Sequence, residues 1–144
     1  MSNVTGPLQA QNNLSDVADV PTTRGNLGVA SVPVVISIPG LPPAGAVVNL
    51  PVGISLTIPA SLTGTSVYAG TNATANATVT LNKISGGVTI ALGTITKTPT
   101  SATSVTLSGA GGSVIAGDVL QFILPSPQDA TLANFGITLL ATRT

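Results

Sequence analysis

The chain of 144 residues contains no cysteine, no histidine, no tryptophan and no glutamate. Each absence removes a kind of chemistry. Zinc and the transition metals are normally held by His or Cys, so no metal centre of that type is expected. Nucleophilic pairs of the Ser–His or Cys–His kind cannot be assembled. No disulfide can staple the fold. Aromatic residues make up 2% of the chain and charged residues 6%, against about 25% charged in an average globular protein. Four cations and three aromatic rings supply neither a phosphate-tracking surface nor a base-stacking platform, which argues against a nucleic-acid partner. No cofactor is expected.

What remains is aliphatic and hydroxyl-rich. Hydrophobic residues reach 43%, mostly Ala, Val, Leu and Ile, and the polar content is mainly Thr, Ser and Asn, with a net charge of zero. So few charges solvate a monomer surface poorly. Disordered chains are poor in hydrophobes and usually rich in charge, so disorder does not fit. This composition suits a protein whose surface is covered by copies of itself or by a partner. The opening MSNVTGPLQAQNN has neither the basic segment nor the apolar run of a secretory signal. Residues 25–82 are uncharged, but Pro33, Pro39, Pro42, Pro43, Pro51 and Pro59 interrupt them. A spanning helix needs about 20 continuous apolar residues, so no membrane segment is expected.

Beyond residue 28 the pattern has period two, the mark of half-buried strands. Ile54, Leu56 and Ile58 alternate with Ser and Thr, as do Ala73, Ala75, Ala77, Val79 and Leu81. Val88, Ile90 and Leu92 share a face, and so do Phe135, Ile137 and Leu139. DVLQFILP is almost wholly apolar, as a strand covered on both faces would be. PGLPPAG, SGG, GAGG and AGD supply turn signals between them. The expected fold class is all-β, a jelly-roll-like β-sandwich over residues 29–144. It is preceded by an extended N-terminal arm with a short helical turn, residues 1–28. Sheet faces carrying Thr and Ala in place of Lys and Glu have little protection against association, so self-association is expected too.

Three of the eight charges, Asp16, Asp19 and Arg24, crowd into QNNLSDVADVPTTRGNLGVA at residues 11–30. Pro21 suits a first helical turn, Thr22 or Thr23 can cap it, and Gly28 suits the position just past its end. The expected turn spans residues 22–27, with Leu14, Val17, Val20 and Leu27 as its apolar contacts. A helix this short cannot hold itself together in water and must dock on something. Its charges would then orient it on a partner, as in a short peptide-in-groove anchor.

The candidate chemistry elsewhere reads as structural. Asp118 ends a turn before a strand, and Asp129 makes an Asx-type turn after Pro127. SGAGGS at residues 108–113 lacks the Gly-Lys-Ser/Thr and the helix of a phosphate loop and reads as a hairpin turn. The Asn-x-Ser/Thr triplets at Asn3, Asn13, Asn72 and Asn76 follow from abundant Asn and Thr. Thr-x-Thr spacing without a regular short repeat does not make an ice-binding solenoid. A glycan depolymerase would need a carboxylate pair in a groove, and the β domain holds only Asp118 and Asp129. The expectation is a protein that is not an enzyme.

Asn13, Leu14, Asp16 and Val17, followed by Thr22, Arg24, Asn26, Leu27 and Gly28, form N-L-x-D-hydrophobic, a spacer, and T-x-R-x-N-L-G. This resembles an element recurring in tailed-bacteriophage fibre, collar and head-decoration proteins. Thr23 stands where Ala is common, and Gly25 where a larger residue is common. The end of the chain, AGDVLQFILPSPQDATLANFGITLLATR at residues 116–143, resembles a small β-sandwich module of phage fibres. The resemblance implies a homotrimer on the outer surface of the virion, at the head. It implies attachment to the major capsid protein or another virion protein through Asn13, Leu14, Asp16, Val17, Asp19, Arg24, Asn26, Leu27 and Gly28. The rival it implies is a tail fibre or receptor-binding tip that contacts a host surface glycan.

Overall fold

The computed structural model describes residues 20–144. The expected arm and the proposed attachment residues Asn13, Leu14, Asp16, Val17 and Asp19 lie outside the described residues. The chain divides at Ala30/Ser31. Among the described residues, the helix α1 (Val20–Asn26) stands before that division and ten strands come after it.

Strands β1 (Ser31–Ile38), β3 (Leu56–Ile58), β4 (Ser66–Thr71), β8 (Gly112–Val114) and β10 (Ala133–Arg143) form the first sheet. Strands β2 (Val47–Pro51), β5 (Ala77–Ser85), β6 (Val88–Lys97), β7 (Val105–Ser108) and β9 (Val119–Ile123) form the second. The first sheet runs β1-β10-β3-β8, with β4 also against β10, and the second runs β2-β9-β5-β6-β7. All pairings are antiparallel. The chain passes back and forth between the sheets, giving the two-sheet antiparallel β-sandwich that the strand patterning predicts.

β10 organises the core. Phe135, Ile137, Leu139 and Ala141 all point inward and are buried. Its partner β1 alternates in step, with Ile36 and Ile38 buried and Pro33, Val35 and Ser37 outward. From the second sheet Val79, Leu81, Leu92, Ile95, Leu120 and Phe122 close the other side. Each fully buried aliphatic or Phe side chain contributes about 1.5–3 kcal/mol, so these dozen residues hold the sheets together. Only two aromatics take part, because Tyr68 lies between the buried Val67 and Ala69 and therefore points outward.

Several local expectations are corrected. Val88 and Ile90 share the inward side with Leu92, yet only Leu92 is buried. β8, whose Gly112 sits against Leu92 Cδ2, is only three residues long, so the β5–β6 hairpin extends past its cover. β9 is buried on one face only. Val119, Gln121 and Ile123 are half-buried between β2 and β5, which explains the long apolar run without a second layer.

SGAGGS is not a hairpin turn, because β7 and β8 belong to different sheets. Residues 109–111 cross between the sheets, and the backbone there leaves no room for a Cβ at Gly109 or Gly111. A Cβ on Gly109 (φ 146°) would overlap the Leu92 carbonyl oxygen and Gly93 Cα. Main-chain bonds from Ser61 N–H to Gly109 O (2.8 Å) and from Gly111 N–H to Leu92 O (3.0 Å) fix the crossing.

Candidate functional site

The described half of the charged motif is a well-terminated helix. Leu27 N–H bonds to Thr23 O, Gly28 N–H to Gly25 O and Val29 N–H to Arg24 O, each at 3.0 Å. The last two, spanning three and five residues, make a Schellman ending, which requires a left-handed residue between them. Gly28 supplies it with φ 68°, as its sequence position predicts. Helix α1 starts at Val20, two residues before the expected turn. Its flanking hydrophobes are exposed, Leu27 by 61% and Val29 by 56%. Of the other predicted attachment residues, Arg24 is half-buried and Asn26 is exposed.

The carboxylates of the sandwich are each committed to a turn. Asp118 Oδ2 accepts from Ile115 N–H at 3.0 Å, closing the β8–β9 turn. That bond, with the Ser85 hydroxyl and the Lys83 charge, holds the Asp118 carboxyl below its usual range against the opposing effect of burial. Lys83 Nζ donates to Ser113 O at 2.6 Å, a bond from the second sheet to the first.

Asp129 is bonded more heavily. Oδ1 accepts from Thr131 N–H, Thr131 Oγ1 and Leu132 N–H, and Oδ2 from Thr74 N–H, Thr74 Oγ1 and Ala75 N–H, all within 2.9–3.1 Å. Burial acts to raise the Asp129 pKa, but the bonds from Thr131, Ala75 and Leu132 outweigh it and hold the carboxyl well below the usual carboxylate range. The Thr131 bond is the Asx turn read from the sequence. The reach to Thr74 and Ala75 is long-range and had no local signal.

These two carboxylates stand at opposite ends of β9. Asp118 is bonded by Ser85 at the end of β5 and Asp129 by Ala75 just before its start, so that nine-residue strand, at ~3.3 Å per residue, keeps them apart. Among the described residues no three His, Cys, Asp or Glu side chains approach one another as a metal site would require.

The sandwich surface carries depressions. A cleft of about 340 Å³ lies between residues 74–78 and 125–130. Asp129 forms part of its wall with both oxygens occupied, and the Asn76 and Gln128 amides and the Ser126, Thr74 and Thr78 hydroxyls are its exposed polar groups. The second, about 280 Å³, is an apolar groove between β1 and the residues joining β2 to β3. Comparison with protein-family models, with curated proteins and with solved structures finds no match to the chain.

Proposed function

We propose that this protein is a structural component of a tailed-bacteriophage virion. In this reading it is a trimeric capsid decoration or head fibre protein, held to the particle by residues 1–28 and displaying its jelly roll outward. The observation that carries the reading is the end of the anchoring motif. A seven-residue helix is closed by a Schellman turn at Gly28 and carries exposed Leu27 and Val29. Isolated helices of this length are unstable in water, so such a motif calls for a surface to lie on, and Arg24 and its neighbouring carboxylates would set its register there. The resemblance of T-x-R-x-N-L-G to phage attachment elements supports a virion partner. Three copies on a symmetric platform would gain avidity that a single short anchor lacks.

One observation favours a second reading, a tail fibre or receptor-binding tip. The 340 Å³ cleft presents uncharged amides and hydroxyls, a chemistry that matches saccharide hydroxyls. Deletion distinguishes the two. Removing residues 1–28 leaves a folded sandwich that fails to join particles if the anchor reading holds; normal incorporation of the truncated protein refutes it. Loss of host-cell binding by particles lacking residues 29–144 would establish the second reading.

A further inference from the structure

Lys97 ends β6 at an inward position, paired with the buried Ala77, and none of its surface reaches water. A buried ammonium is normally matched to a carboxylate, because losing its water is costly. Asp118 and Asp129, the side-chain carboxylates of the sandwich, are bonded to their own turns instead. The Lys97 Nζ donates to main-chain carbonyls, those of Thr98 and, at 2.7 Å, of Ser101. Burial lowers its pKa accordingly.

Both acceptors lie in one short segment, TPTSATS at residues 98–104, which joins β6 to β7. Its apolar side chains are Pro99, exposed, and Ala102, half-buried, so it adds almost nothing to the core. Its main-chain bonds are mostly internal, from Thr98 N–H to Ser104 O at 3.1 Å and from Ser104 N–H to Ser101 O at 3.2 Å. A bond from Ala69 N–H to Ala102 O, at 3.0 Å, ties it to β4. β10 pairs with the other edge of β4, so this tie covers the strand's outer edge.

We propose that residues 98–104 form a strap that opens locally while the sandwich stays folded, returning water to the Lys97 ammonium and uncovering the outer edge of β4. Two observations drive the strap the same way. Segments that bury little apolar surface open at a lower free energy than the core. The closed strap also holds a charge whose water has been replaced by two of the strap's own carbonyls, so that water returns only when the strap leaves. The same two bonds, being charge-assisted, keep the closed state populated. Opening needs no partner and is independent of the protein's place in a virion.

The test labels the full chain under native conditions with a small acetylating N-hydroxysuccinimide ester and follows each lysine by mass spectrometry. Half-buried Lys83 is the accessible reference. Lys97 should react at least about tenfold more slowly than Lys83, yet at least about tenfold faster than the sandwich unfolds in denaturant-jump kinetics. The amides of Ala69, Thr98 and Ser104 should exchange together, at least about tenfold faster than those of the central strand β10 after correction for sequence. Low denaturant should accelerate exchange in β10 and leave these three amides unchanged, because the strap exposes little surface. Labelling of Lys97 no faster than global unfolding, or exchange of the three amides in step with β10, overturns the strap. Lys97 as reactive as Lys83 overturns it as well, since the ammonium is then not held closed.

Discussion

Asp129→Asn is the substitution that separates a structural carboxylate from a spare one. The side chain keeps its shape, and an amide oxygen can still serve Thr131 and Leu132. On the other side an NH2 group replaces Oδ2 and faces two main-chain donors, Thr74 N–H and Ala75 N–H, while the Thr74 hydroxyl can rotate to accept. Two charge-assisted bonds are therefore lost. Such bonds are worth about 1.5–3 kcal/mol each, but this cluster is half-open to water, which can replace part of the loss, so the lower end applies. The expected cost is about 2–3 kcal/mol, or roughly 8–12 °C in Tm for a unit of this size. Because the native carboxyl titrates below its unfolded value, its contribution is complete above a pH of about 4 and is lost as pH falls through the native pKa. Calorimetry of both proteins from neutral pH down to about pH 2 should show a Tm gap that narrows steadily on the acid side. A gap that stays constant across that range, or no gap at neutral pH, would refute the assignment.

Two glycines give sharper outcomes. In Gly109→Ala the added carbon meets main-chain atoms of Leu92 and Gly93 that cannot yield, so the sandwich should lose more than about 3 kcal/mol in denaturant titration, if it folds at all. Gly28→Ala meets nothing within 4 Å and carries only the cost of φ 68°, about 1 kcal/mol. It should move the Cα chemical shifts of α1 toward random coil and leave the Tm of the sandwich unchanged.

The strands were legible in the sequence where one face meets the core along the whole element. Phe135, Ile137 and Leu139 alternate because β10 is central and fully covered. The pattern reports which side chains share a face, but it cannot report how far the opposing sheet extends. Val88 and Ile90 therefore alternate in step with Leu92 although β8 stops short of covering them. The bulge at Leu81/Asn82 left no mark either, since the extra residue in β6, Leu92, is itself apolar and buried. The same limit applies to polar groups. Gly28 could be read because its constraint is local to the backbone. The tie from Asp129 to Thr74 and Ala75 joins residues more than fifty positions apart, and no local signal announces it.

The sparse charge takes on a physical meaning once each charged side chain is placed. Lys97 is buried and donates to the carbonyls of Thr98 and Ser101, and burial lowers its pKa. Lys83 reaches the Ser113 carbonyl, while Asp118 and Asp129 each close a turn. Four of the five charged side chains of the sandwich thus serve its own carbonyls and N–H groups. Register places none of the five on an outward sheet face: Lys83, Lys97 and Arg143 pair with the inward-facing Leu120, Ala77 and Leu56, and the two Asp lie outside the strands. The second sheet meets water with neutral polar groups that bond laterally, Thr78 to Thr96 and Asn82 through Gln121 to Asn49. Along β1 the outward residues Pro33 and Val35 have no such ladder, and the groove beside them opens onto Leu56 and Leu120. The two sides of the sandwich therefore differ in what covering them would gain. Covering the second sheet would displace water from groups already suited to it, whereas covering β1 removes apolar surface and satisfies unpaired main chain at once.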